Sequence, residues 1–131
     1  QFSFGYVKMT MALHGSSMPD GSYGGNPGGF LLKLNEGQTI YFAGDTGLFG
    51  DMRLIGDEEL DLAVIPIGDN YTMGPDDALR AVEFLHPKTV IPMHYDSFEV
   101  IQQDVEAWKT RVEKDAPVQV VILKPGGSLN I

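Results

Sequence analysis

Cysteine is absent from this chain. Disulfides and thiolate metal sites are therefore excluded, and any metal must rest on histidine, carboxylate or water. Long apolar runs are absent too. The longest, around Leu62 to Ile67, falls far short of the ~18–20 residues that cross a bilayer, and Pro66 interrupts it. Basic residues are scarce: nine Lys and Arg stand against 18 Asp and Glu, giving a formal charge of −9. Such a surface repels phosphate backbones and anionic lipids, so neither nucleic acid nor a membrane is an expected partner. No His-x-His pair occurs, no Gly-x-Ser-x-Gly elbow, and no Walker lysine follows the glycine-rich Gly21 to Gly29. Ser16 and Ser17 lie next to His14, but neighbours in sequence rarely meet triad geometry, so serine catalysis is a poor fit.

What is present suits one globular domain: 131 residues, 43% of them hydrophobic. Gln1 leads directly into the strand-like Phe2-Ser3-Phe4, so the chain is expected to begin inside a longer pattern. Val7, Met9, Met11 and Leu13 alternate with Lys8, Thr10 and Ala12, a period of two that predicts a strand running into His14. Gly15 to Gly29 reads as a long loop, and loops of that length are commonly functional. Phe30–Leu34 and Thr39–Ala43 are apolar runs joined by Asn35-Glu36-Gly37-Gln38, a hairpin signal.

Leu60–Ile67 predicts a buried strand. Gly74-Pro75-Asp76-Asp77 starts a helix, with proline at its first position and acids at the positive end of its dipole. Ala78, Val82 and Leu85 continue it up to Pro87, and His86 falls in its last turn, a structural place for a partly charged imidazole. Thr89–Met93 is the next strand, which makes a βαβ unit with parallel pairing and a right-handed crossover. Ile101, Val105, Trp108 and Val112 are spaced 4, 3 and 4, an amphipathic stripe, and Val118–Leu123 closes the chain as a strand.

Three candidate metal ligands follow strands in this reading: His14 after Leu13, Asp45 after Ala43-Gly44, and His94 after Met93. Loops leaving the carboxyl ends of strands share a rim where binding groups gather. Two imidazoles and a carboxylate form a ligand set for zinc, iron or manganese. Gly44 and Gly47 flank Asp45 and give its backbone freedom to aim the side chain. Alone, each residue reads more readily as a cap or a turn; jointly they read as a site. Asp69, Thr72 and Tyr95 would share the rim as substrate-binding groups. Tyr95 would either donate to a developing oxyanion or pack with its hydroxyl in water, and Asp69 would either orient a ligand or close a turn.

Ala12-Leu13-His14-Gly15-Ser16-Ser17, Phe42-Ala43-Gly44-Asp45-Thr46-Gly47, Pro66-Ile67-Gly68-Asp69, Tyr71-Thr72-Met73-Gly74-Pro75 and Ile91-Pro92-Met93-His94-Tyr95 follow one another in order. Together they closely resemble the metal-dependent hydrolases of the metallo-β-lactamase superfamily labelled UPF0173, over nearly the whole chain. The resemblance implies an α/β fold, half of an αββα sandwich with a mixed sheet and helices on one face. Residues 1–131 would form the C-terminal half of the domain. It further implies a dinuclear site, most simply of zinc, with manganese or iron possible, in a cytoplasmic enzyme. His14 would complete the first metal's shell, Asp45 would bridge both metals, and His94 would bind the second, with Asp45 and His94 the catalytic pair. A metal-bound hydroxide would then attack an ester, lactone, amide or phosphoester of a small-molecule substrate.

The superfamily's His-x-His-x-Asp-His signature, which supplies most remaining ligands, does not occur in this sequence. The resemblance therefore implies a partner: an N-terminal half on a separate or cleaved chain, or self-association. An inactive remnant, or three residues gathering one metal unaided, are the other openings. A non-catalytic half-domain acting as a binding or assembly module is the alternative from a different class. Strands lacking their second sheet would also expose a broad apolar face, the mark of an interface.

Overall fold

The computed structural model describes all residues, 1–131. One six-stranded sheet runs β1 (Gly5–Met11), β2 (Gly28–Leu34), β3 (Thr39–Phe42), β4 (Leu62–Pro66), β5 (Thr89–Met93) and β6 (Gln119–Val120), with neighbours in space following chain order. The first three strands pair antiparallel and the rest parallel. The hairpin turn between β2 and β3 forms where Asn35 to Gln38 predicts it. Gly37 takes a φ of 104° there, and its N–H donates to the Leu34 carbonyl. Each parallel step needs a crossover, supplied by α1 (Met52–Gly56), α2 (Pro75–Leu85) and α3 (Val105–Asp115).

Helix α2 starts at Pro75, with Asp76 and Asp77 in its first turn. It ends at Leu85, and His86 is its C-cap: the backbone turns left-handed (φ 46°) and the His86 N–H donates to the Val82 carbonyl. His86 thus serves the helix end through its backbone, one residue beyond the turn in which the sequence places it. The second stripe is corrected. Helix α3 begins at Val105, because the Asp104 side chain accepts from the Ala107 N–H at 2.9 Å and caps it. Ile101 instead closes a 3-10 turn over Glu99–Ile101. The last strand is two residues, not six: Gln119 and Val120 are in register with β5, and past them only the Val121 N–H still donates to it, to the Val90 carbonyl at 2.9 Å. Strand β1 stops at Met11, short of His14. No helix is long and apolar enough to cross a membrane.

The helices lie against one face of the sheet. Tyr41, Ala63, Ile65 and Val90 from the strands join Met52, Val82, Leu85 and Trp108 from the helices in a single core. Trp108 is buried and its indole N–H donates to the Pro75 carbonyl at 3.0 Å, tying α3 to the start of α2. Arg53 on α1 lays its guanidinium 3.7 Å from the centroid of the Phe84 ring on α2.

The other face is apolar as well. Ile40, Leu62 and Val64 form a second cluster, joined by Leu32, Leu34, Ile91 and Met93, and every contributor comes from a strand. Cross-strand register extends it through Met9, Phe30 and Phe42, which face one another across β1, β2 and β3. These three are 58%, 47% and 40% exposed. The α/β sheet with helices on one face is thus present, and so is the uncovered side.

Trp108→Phe is expected to cost about 1–3 kcal/mol, from the lost hydrogen bond and the lost volume, measured by urea unfolding. Burial pushes the Tyr41 phenol from 10.0 up to about 12, and the neighbouring Thr10 hydroxyl offsets only part of this. The unfolded chain therefore ionises Tyr41 first as pH rises. That contribution to stability is complete below pH 10 and is lost as pH climbs through about 12. Tyr41→Phe is expected to remove this component of alkaline unfolding, roughly 3 kcal/mol for a shift of that size, read from urea midpoints at neutral and alkaline pH.

Candidate metal centre

Strand direction brings the ligand-bearing loops to one rim. Because β1 and β3 are both antiparallel to β2, they run the same way as each other, and β4 and β5 follow β3. The segments after β1, β3, β4 and β5, which carry His14, Asp45, Asp69 and His94, therefore all leave the same edge of the sheet.

Asp45 and His94 come together there. His94 Nε2 lies 3.6 Å from Asp45 Oδ2, too long for a hydrogen bond. The spacing suits two ligands of one cation, each ~2.0–2.2 Å from it. His94 Nδ1 is buried without a hydrogen-bond partner, an unmet polar atom of the kind that marks functional sites. His14 is exposed, and its Nδ1 stands 2.7 Å from the Gly15 carbonyl oxygen. A carbonyl only accepts, so Nδ1 is the donor in this contact and Nε2 is the nitrogen left for a metal, the arrangement of ligand histidines whose second nitrogen bonds a carbonyl. No group of three His, Cys, Asp or Glu side chains stands placed to hold a metal ion. The chemistry of Asp45, His94 and His14 fits a divalent cation, but as part of a shell that needs further donors.

Two glycines make the rim possible. Gly44 has a φ of 66°, and a Cβ on it would meet the Gly28 carbonyl at 2.8 Å; this bend carries the chain from β3 to Asp45. A Cβ on Gly68 would lie 2.1 Å from the His94 carbonyl oxygen, so the β4 loop passes directly against the His94 backbone. His94 itself is left-handed, with a φ of 55°.

The remaining rim residues divide. Asp69 closes a turn: its Oδ1 accepts from the Asn70 N–H at 2.8 Å and its carbonyl accepts from Thr72. The Thr72 hydroxyl donates to the Met73 carbonyl at 3.4 Å. Tyr95 packs half-buried against the main core. Burial, with the Asp96 and Glu106 carboxylates behind it, pushes its phenol above the usual tyrosine value. Gln103 is a residue that periodicity and motif did not single out. Its amide donates to the Gly68 carbonyl at 3.0 Å, while its N–H donates to Asp96 Oδ1 at 2.8 Å. These bonds lace the loops after β4 and β5 together. A lone glutamine ahead of a helix cap gives no sequence signal for such a role.

A family model described as "Beta-lactamase superfamily domain" matches residues 1–95. A UPF0173 metal-dependent hydrolase of Pelotomaculum thermopropionicum is 53% identical over 130 residues, covering 95% of this chain and 57% of the relative. This chain belongs to the metallo-β-lactamase superfamily, among the UPF0173 metal-dependent hydrolases. A second UPF0173 hydrolase, from Thermus thermophilus, is 52% identical over the whole chain, which covers 58% of it. The superfamily likeness extends to solved structures. A metallo hydrolase of Ignicoccus hospitalis KIN4/I superposes with a TM-score of 0.82 at 37% identity, covering 94% of this chain and 51% of the other. An isothiocyanate hydrolase from Delia radicum gut bacteria shares the fold, with a TM-score of 0.69 at 22% identity, covering 95% and 54%. The chain thus spans somewhat more than half the length of the curated superfamily relatives it matches.

Gly68→Ala is expected to destabilise by about 1–3 kcal/mol, the usual range for overpacking. It should also speed amide exchange around His94, read by hydrogen exchange alongside thermal unfolding.

Proposed function

We propose that this chain is the C-terminal half of a metal-dependent hydrolase and contributes Asp45, His94 and His14 to a dinuclear, most simply zinc, centre. The observation that carries the reading is the Asp45–His94 pair, 3.6 Å apart on a rim built by strand direction. In this reading Asp45, His94 and His14, the last through its Nε2, would be the ligands this chain supplies, with the Asp45 carboxylate the one to be shared. When bound, the ions supply an acidified water and a Lewis acid toward an ester, lactone, amide or phosphoester. The chain's own groups do the rest. Tyr95, the residue after His94, would donate a hydrogen bond from its phenol to charge developing on the substrate. Asp69 and Thr72 fix the loop beside it, against which a small-molecule substrate rests.

The remaining ligands come from a partner half carrying His-x-His-x-Asp-His. Its docking surface is the uncovered sheet face bearing Met9, Phe30, Ile40, Phe42 and Val64. Two sheets pack face to face through apolar side chains of this kind, about 10 Å apart. The relatives support that occupant, since this chain accounts for only 57% of the length of the Pelotomaculum hydrolase. One observation favours the second reading, a half-domain that assembles without catalysing: no three ligands gather within the chain itself.

Native mass spectrometry of the purified protein at neutral pH, without chelator, separates these readings. The hydrolase reading expects a complex with a second polypeptide carrying one or two metal ions. Asp45→Ala and His94→Ala should each lower metal occupancy by more than the ~10–100-fold that losing an outer-shell partner costs. A metal-free 14.3 kDa monomer would overturn the composite enzyme and leave the binding module.

A further inference from the structure

Strand β2 stands between β1 and β3 throughout the sheet, so no ladder hydrogen bond joins the strand that leads to His14 with the strand that leads to Asp45. Backbone groups of the two segments are hydrogen-bonded together only beyond the strand ends, where Thr46 makes the junction. Its side chain is fully buried. Its Oγ1 accepts from the Leu13 N–H at 2.9 Å and donates to the Gly47 carbonyl at 2.8 Å, so one hydroxyl satisfies two backbone groups. The Gly47 N–H donates to the Leu13 carbonyl at 2.9 Å, which closes the junction from the other side. The Thr46 carbonyl accepts from the Met73 N–H, also at 2.9 Å, and brings in the Gly68–Gly74 loop. Three rim loops thus converge on one residue that adjoins Asp45 and touches the neighbour of His14.

We propose that Thr46 is the positioning residue of the candidate metal centre, its hydroxyl setting the spacing between the His14 and Asp45 loops before an ion binds. This rests on the metal-centre reading. Thr46 is not itself a ligand; it acts through Leu13 and Gly47. The physical reason is that a flexible junction would let the two ligands separate, and each ion bound would then have to order both loops. Residues that orient metal ligands typically govern affinity by ~10–100-fold. Threonine suits the place because a buried hydroxyl with both of its roles filled is directional, whereas the isosteric valine would leave the Leu13 N–H without a partner.

The test compares Thr46→Val and Thr46→Ser with the unsubstituted protein, each as purified with any accompanying polypeptide. Amide exchange at Leu13 is followed by NMR, and Co(II) binding by its visible absorption. Thr46→Val is expected to speed exchange at Leu13 at least roughly tenfold and to weaken Co(II) binding by about 10–100-fold. Thr46→Ser, which keeps the hydroxyl, should restore both. Unchanged Co(II) affinity in Thr46→Val would overturn the positioning role. So would a Thr46→Ser protein that loses affinity as valine does, because packing of the methyl would then be the cause. If the unsubstituted protein takes up no Co(II) even with a second polypeptide bound, the metal-centre reading itself fails, a result distinct from either of those, while Leu13 exchange still tests the junction.

Discussion

A sheet whose two faces are both apolar has to be covered twice, and most of this structure follows from how that demand is half met. Every residue of β4 is buried, as expected for a central parallel strand, and its neighbours are apolar toward both sides. The three helices cover one side with a core that includes Trp108, Leu85 and Met52. On the other side, Ile40, Leu62 and Val64 shelter only among strand neighbours. Apolar burial contributes about 25 cal/mol per Å² removed from water, and on this side Met9, Phe30 and Phe42 still stand in it. The helix-covered half defines the fold, and the bare half defines what the fold needs.

The same constraint sets the place of the chemistry. Parallel pairing forces each crossover to return the chain to the opposite edge, and the loops that begin the crossovers accumulate at the carboxyl rim. Asp45 and His94 meet there, although 49 positions apart in sequence. Close backbone approach holds the rim together: Gly68 against the His94 carbonyl, Gln103 on the Gly68 carbonyl, Thr46 against Leu13. A metal centre built on such loops needs little ordering at the moment of binding, which is how preorganised sites gain affinity.

Much of this was legible in the residues. Period-two alternation placed β1, the Asn35–Gln38 turn placed the hairpin, and Pro75 with its two acids placed the start of α2. The α/β fold and the superfamily follow from those elements and from the motifs at the strand ends. What the pattern missed has identifiable causes. Helix α1 has five residues and only two buried side chains, Met52 and Ile55, too few to show a period. Ile101 kept helical spacing with Val105, yet the Asp104 cap starts the helix after it. Strand β6 is an edge strand, and Ile122 and Leu123 remain apolar beyond the Val121 N–H, the last group to bond β5. In the candidate site, strand ends pointed to Asp45 and His94, but the tautomer of His14 depends on a carbonyl that only the folded backbone brings near. Gln103 acts through a backbone oxygen 35 positions away, a relation that composition and spacing do not encode.

The bare sheet face also fixes how this chain responds to its surroundings. The internal strands complete their hydrogen bonding within the chain, so a partner on that face would meet side chains and break no ladder. Such a union depends on concentration, because it stabilises by mass action. It also loosens on cooling, because apolar association loses strength as temperature falls. Were the proposed second sheet to cover that face, dilution and cold would release it and leave the helix-covered core of this chain intact.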